Sequence, residues 1–238
     1  MKHLLILLLC TIGLVIPNHN GIVEAAPPSP EAGEKVKEEN QEFLKQMAES
    51  LGIKTEGKDY VALKKEVHEV LIKKEAKKLG IKTEGKDIKQ IAMEVHATHI
   101  KQEAKSLGIK TENKDIRIVM KEVFEAKIQN KAKELGIETK GKNMQELAKE
   151  VQEKIVYTEA EKLGIKTEGK ELRKVAEEVR EKQIIAAAEK LGLDTKNKTA
   201  EELLKEMMIR NPEEVKKLKL LPFHDKMGMH GHVKYKHE

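Results

Sequence analysis

His224, Asp225, Met227, Met229, His230, His232 and His237 crowd the end of the sequence, and they are residue types that hold metal ions. Imidazole nitrogen suits Cu(II), Ni(II) and Zn(II), and thioether sulfur suits Cu(I). His230-x-His232 on a flexible chain can place two ring nitrogens on one ion, with Met227 and Met229 beside them as soft ligands. No paired CxxC or other tetrahedral spacing accompanies them. The expectation is a disordered His/Met-rich tail, residues 221–238, able to take Cu, Ni or Zn. The plainer reading of the same residues is a tail that is merely metal-sticky.

A second set is periodic. Lys58, Lys86, Lys114, Lys142, Lys170 and Lys198 each follow a Gly or Asn and stand just before a helix start. A cation beside a left-handed residue at a helix N-terminus can bind phosphate. Anion binding to wall polymers or acidic glycans is the corresponding expectation. Asp59, Asp87, Asp115 and Glu171 place acidic groups at the same helix starts and oppose it. His68, His96 and His99 lie mid-helix. The place shared by His68 and His96 holds Phe124, Gln152, Arg180 or Met208 elsewhere, which marks the edge of an apolar face rather than a ligand set. No Ser/His/Asp order, HExxH or glycine-rich phosphate loop is present, so the expected protein is not an enzyme.

The elements that position these residues are written as a repeat. LGIKTEGKD occupies Leu51–Asp59 and recurs letter for letter at Leu79–Asp87. Leu-Gly recurs with Gly at 52, 80, 108, 136, 164 and 192, always 28 residues apart. Gly after a helical run ends the helix in a left-handed residue, and the following Ile or Leu folds back on the last turn. Five residues on, Gly exchanges only with Asn, which predicts positive φ. Asp59, Asp87, Asp115, Asn143 and Thr199 are then good N-caps, and Asn143 with Glu146 and Thr199 with Glu202 have capping-box spacing. Each copy thus stops one helix and starts the next. Helices are expected at about 60–79, 88–107, 116–135, 144–163 and 172–191, with a leading helix at about 34–51. Asn211-Pro212 predicts a short final helix at about 212–220.

The apolar positions form two half-stripes on each helix. Ile88, Ile91, Ala92 and Val95 point one way, while Ile100, Ala104 and Leu107 point about 130° away. Such a helix faces one neighbour early and another late. One small core should therefore hold Ile72, Ala76, Leu79, Ile81, Ile88, Ile91 and Val95. The expected fold is all-α: an elongated tandem array of six 28-residue helix–loop repeats, zigzag or solenoid-like, with capping helices at its ends, over residues 34–220.

Ahead of the array, residues 1–25 read as a cleaved signal peptide: a basic start, an apolar run over Leu4–Ile16, and small residues before position 26. Residues 26–33 read as a flexible Pro-rich leader. Cys10 is the only cysteine and leaves with the signal, so the mature chain is expected to be cysteine-free and to have no transmembrane segment. Charged residues make up 37% of the chain at a net charge of +5, with Lys and Glu interleaved as on solvated helix faces. That pattern argues against a nucleic-acid footprint. Asn197-Lys198-Thr199 is a glycosylation sequon, relevant only in a eukaryotic host.

A signal peptide followed by cysteine-free, Lys/Glu-rich helical repeats resembles, in composition, secreted or surface proteins of Gram-positive bacteria. The expected function is a secreted or cell-surface structural or interaction protein. Its partner would be another protein or a cell-wall or surface polymer. The alternative is an extracytoplasmic Cu, Ni or Zn protein acting through its tail.

Overall fold

The computed structural model describes residues 30–215, 217 and 218, with side chains from residue 38 onward. Eight helices account for most of them, and no strand occurs among the described residues. They are α1 (Pro30–Ser50), α2 (Tyr60–Lys78), α3 (Ile88–Ser106), α4 (Ile116–Glu134), α5 (Met144–Lys162), α6 (Leu172–Lys190), α7 (Ala200–Arg210) and α8 (Pro212–Val215). The helices α2 to α6 each have 19 residues, or about 28 Å. The α1 helix starts at Pro30, ahead of the expected residue 34, so residues 30–33 are helical. Proline suits a first helical turn because its missing N–H would have no helical acceptor there. Residues 1–29, with the signal-peptide and most of the leader readings, lie outside the described residues, as does the tail from 219 on.

Each helix from α1 to α6 ends in the same knot. At the end of α4, Gly136 takes φ +67°. Its N–H reaches Lys133 O at 3.2 Å, and the Ile137 N–H reaches Ala132 O at 2.9 Å. This is the Schellman pattern, which satisfies carbonyls left over by the helix. The matching long bonds run from Ile53, Ile81, Ile109, Ile165 and Leu193 to Ala48, Ala76, Ala104, Ala160 and Ala188. Those alanines, and Ala132, are fully buried. A larger side chain there would push the returning loop off the helix.

A four-residue turn follows. The Lys114 N–H bonds to Thr111 O at 3.4 Å, with Asn113 between them at φ +58°. That third turn position requires positive φ, as in a type II turn. The next residue caps the following helix. Asp59 Oδ1 accepts from the Ala62 N–H at 2.8 Å. Asn143 and Glu146 complete a capping box, as do Thr199 and Glu202. Asp87 and Gln90 form another through glutamine. Glu171 makes no side-chain cap bond; its longer side chain fits the geometry less well.

The described residues divide into two compact units: 30–99 with 208–215 and 217, and 100–207 with 218. In the first, one core gathers Leu44, Met47, Ala48, Ile53, Leu63 and Val67 between α1 and α2. A second gathers Ile72, Ala76, Ile91 and Val95, with Leu79, Ile81 and Ile88 at its edge. That is the residue set the half-stripes predict. In the second unit, Ile100, Ala104, Val119 and Val123 join α3 to α4. Further cores join α4 to α5 around Ile128, Leu147 and Val151, and α5 to α6 around Val156, Val175 and Val179. Helix α3 thus gives Ile91 and Val95 to one core and Ile100 and Ala104 to another.

One relationship departs from neighbour-to-neighbour packing. In the first unit, Met208 rests on the α1–α2 core, and Lys78 bonds Glu213, which lies 135 residues further on.

Candidate functional site

The six loop lysines are the most regular polar feature of the described residues, and all six have the same partner. Lys58 pairs with Glu66 and Lys142 with Glu150. Lys86–Glu94, Lys114–Glu122, Lys170–Glu178 and Lys198–Glu206 each close at 2.6 Å. The glutamate is eight residues on, two turns into the next helix. The turn brings the lysine back along that helix, where its ammonium reaches the carboxylate. These groups are half-buried. A phosphate would have to displace a carboxylate from each lysine, so the geometry gives the anion-binding reading no support.

The mid-helix histidines do not converge. His68 and His96 are exposed. His99 is buried, with Nε2 3.2 Å from Glu75 Oε1, the side chains being 10% and 6% exposed. The same inter-helix relationship, 24 residues apart, recurs as Lys127 donating to Glu103 at 2.7 Å and Gln183 to Glu159 at 3.4 Å. In the α1–α2 core it is apolar, with Met47 and Leu71. Nothing in the sequence pattern singles out this position, because its residue types change from copy to copy. Among the described residues, no three His, Cys, Asp or Glu side chains gather as a metal-holding group. The metal candidates His224, Asp225, Met227, Met229, His230, His232 and His237 lie outside the described residues.

Three charged groups among the described residues depart from ordinary titration. At Glu177 desolvation raises the carboxyl, but hydrogen bonds from Lys174 and Arg173 outweigh it and hold the group below its ordinary value. Asp115 binds the Arg117 side chain through both carboxylate oxygens, at 3.0 and 2.9 Å, and accepts from the Arg117 N–H at 2.8 Å. The Arg117 side chain, then its backbone, hold the Asp115 carboxyl down at about 2. Arg180 is lowered to about 10 because burial strips water from its guanidinium. It sits at the helix position where other copies carry His68, His96, Phe124, Gln152 or Met208.

One shallow depression of about 400 Å³ is lined by Ile109, Lys110, Lys114, Glu122, Glu125, Ala126 and Gln129. Another of about 510 Å³ is lined by Tyr157, Glu161, Ile165, Lys166, Thr167 and Glu168. Both sit beside loops and are open to solvent, unlike a small-molecule pocket that encloses its ligand. No described helix is long and apolar enough to cross a membrane. Comparison with protein-family models, with curated proteins and with solved structures finds no match for this chain.

Proposed function

We propose that this chain is a secreted or cell-surface interaction protein, not an enzyme, whose body is a tandem array of six 28-residue helix–loop repeats closed by capping helices. The observation that carries the reading is the identity of the six junctions. Each has the same helix stop, the same turn and the same Lys–Glu pair, while the outward helix positions vary from copy to copy. Constant junctions with variable faces are the division of labour of repeat proteins that present an extended surface. The partner class is a protein or a cell-wall or surface polymer. The N-terminal basic and apolar segment supports export.

The test has two arms. Expressed in its native host, the protein should appear in the medium or surface fraction with a new N-terminus near residue 26. Full-length protein retained inside the cell would overturn the location. Purified mature chain should then sediment with isolated cell-surface material, and no binding to any surface fraction would overturn the role.

The second reading, an extracytoplasmic metal-binding protein, rests on the His230-x-His232 pair flanked by Met227 and Met229. Cu(II), Zn(II) and Ni(II) would be titrated into the mature chain and into a chain ending at Leu221. Equal affinities would remove it.

A further inference from the structure

The last helices return to the first, and the return is firmly made. Met208 lies inside α7, whose earlier residues belong to the second unit, yet from Met208 onward the chain groups with the first. Met208 packs on the α1–α2 core of Leu44, Met47 and Val67, with Phe43 and Leu71 at its edge. Asn211 then leads into α8, its carbonyl accepting from the Glu214 and Val215 N–H groups at 3.0 and 3.1 Å. Val215 is 1% exposed. A four-residue helix cannot bury a valine by itself, so its cover comes from the unit it lies on. Lys78, the last residue of α2, donates to Glu213 Oε1 at 3.1 Å beside it.

An open array leaves its first helix short of a neighbour. Stability in such an array is a sum of terms between adjacent copies, and the end copies need a cap. Helix α1 has α2 after it and no described helix before it. Met208 supplies part of the apolar cover that a preceding copy would give. Among the described residues, the cores that join α3 to α4, α4 to α5 and α5 to α6 hold none of residues 208–215. The segment therefore serves the start of the array and not its middle.

We propose that residues 208–215 are a conformational clasp: they hold α1 on α2, and the clasp and α1–α2 open together as one cooperative unit. Release of the clasp uncovers the apolar edge formed by Phe43, Leu44, Met47 and Leu71 and leaves the cores from α3 to α6 in place. Such coupling is reciprocal, so loosening α1 must also loosen the clasp. The inference is independent of where the protein works and of what it binds.

Native-state hydrogen exchange on the full chain, read by mass spectrometry, separates a clasp from a plain linear array. Met208→Ser and Val215→Ala each remove apolar cover from the clasp. Each should speed exchange in α1 and α2 roughly tenfold, as much as in residues 208–215, while α4 and α5 change less than about twofold. Phe43→Ala, in α1, should speed exchange at residues 208–215 by a comparable factor. Met208→Leu, which keeps the apolar volume, should leave all rates near wild type. A linear array gives a different order: the Met208 and Val215 variants then disturb α7 and α6 and leave α1 and α2 at the wild-type rate. That result, or unchanged exchange at residues 208–215 in Phe43→Ala, would overturn the proposal. Protection of α4 and α5 in the same samples reports whether each variant is folded, and if Met208→Ser loses it, Val215→Ala and Phe43→Ala decide the test.

Discussion

Lys114, in the loop before α4, places its ammonium 2.7 and 2.6 Å from the two carboxylate oxygens of Glu122, two turns into that helix. The pair ties the loop to the helix it introduces, and five other loops repeat it. Because both groups are half-buried, each pair should contribute only about 0.2–1 kcal/mol. A double-mutant cycle of Lys114→Gln and Glu122→Gln, read by urea denaturation, should return a coupling in that range that shrinks with added salt. Zero coupling at low salt would reduce the pair to proximity without energy.

The two left-handed positions of each loop should respond differently to substitution. A Cβ at Gly136 or Gly141 would meet no heavy atom within 4 Å, so any cost comes from φ alone. Gly141→Asn should be nearly neutral, since Asn113 and Asn197 hold that turn position at φ +58° and +56°. Gly136→Ala should cost about 1 kcal/mol, and Gly141→Val more, because β-branching resists positive φ. Denaturation midpoints would show the order Asn, Ala, Val.

The N-cap of α4 carries a pH signature. The Asp115 carboxyl, held at about 2 by Arg117, lies below its unfolded value. Its stabilising contribution is therefore fully present above the unfolded carboxylate value and fades as pH falls from there through about 2. Carboxyl NMR titration should find Asp115 near 2, and Arg117→Ala should move it up toward the ordinary carboxylate range. An unmoved Asp115 would assign the depression to the helix end instead.

The junctions and cores were legible in the residues because the chain itself records which substitutions each position tolerates. Gly exchanging only with Asn announced the left-handed turn, and the two half-stripes announced the core of Ile72, Ala76, Ile91 and Val95. The glutamate partners of the loop lysines were less legible. Glu66, Glu94, Glu122, Glu150, Glu178 and Glu206 recur as faithfully as the lysines, but a surface glutamate reads as solvated until the loop is seen to fold back along the helix. The return of Met208 and Glu213 to α1 and α2 has no local signal at all. The two partners Lys78 and Glu213 lie 135 residues apart, and no junction motif encodes a contact at that separation. Nor did the changing residues of the Glu75–His99 position predict a buried pair.

That pair supports the sharpest stability prediction. Glu75 and His99 are both nearly enclosed, and His99 Nε2 stands 3.2 Å from the carboxylate. His99→Ala would leave the Glu75 side chain buried without this polar neighbour, and leaving a buried polar group uncompensated typically costs about 1–3 kcal/mol. The preceding junction already shows an apolar solution, with Met47 and Leu71 at the equivalent positions in a packed core. The double substitution Glu75→Met with His99→Leu should therefore recover most of the loss and could exceed wild type, since replacing both members of a buried pair by apolar groups is often neutral or stabilising. Thermal and urea denaturation of wild type, both single variants and the double variant would measure it. A double variant as unstable as His99→Ala would mean that the polar pair, rather than its volume, holds α2 against α3.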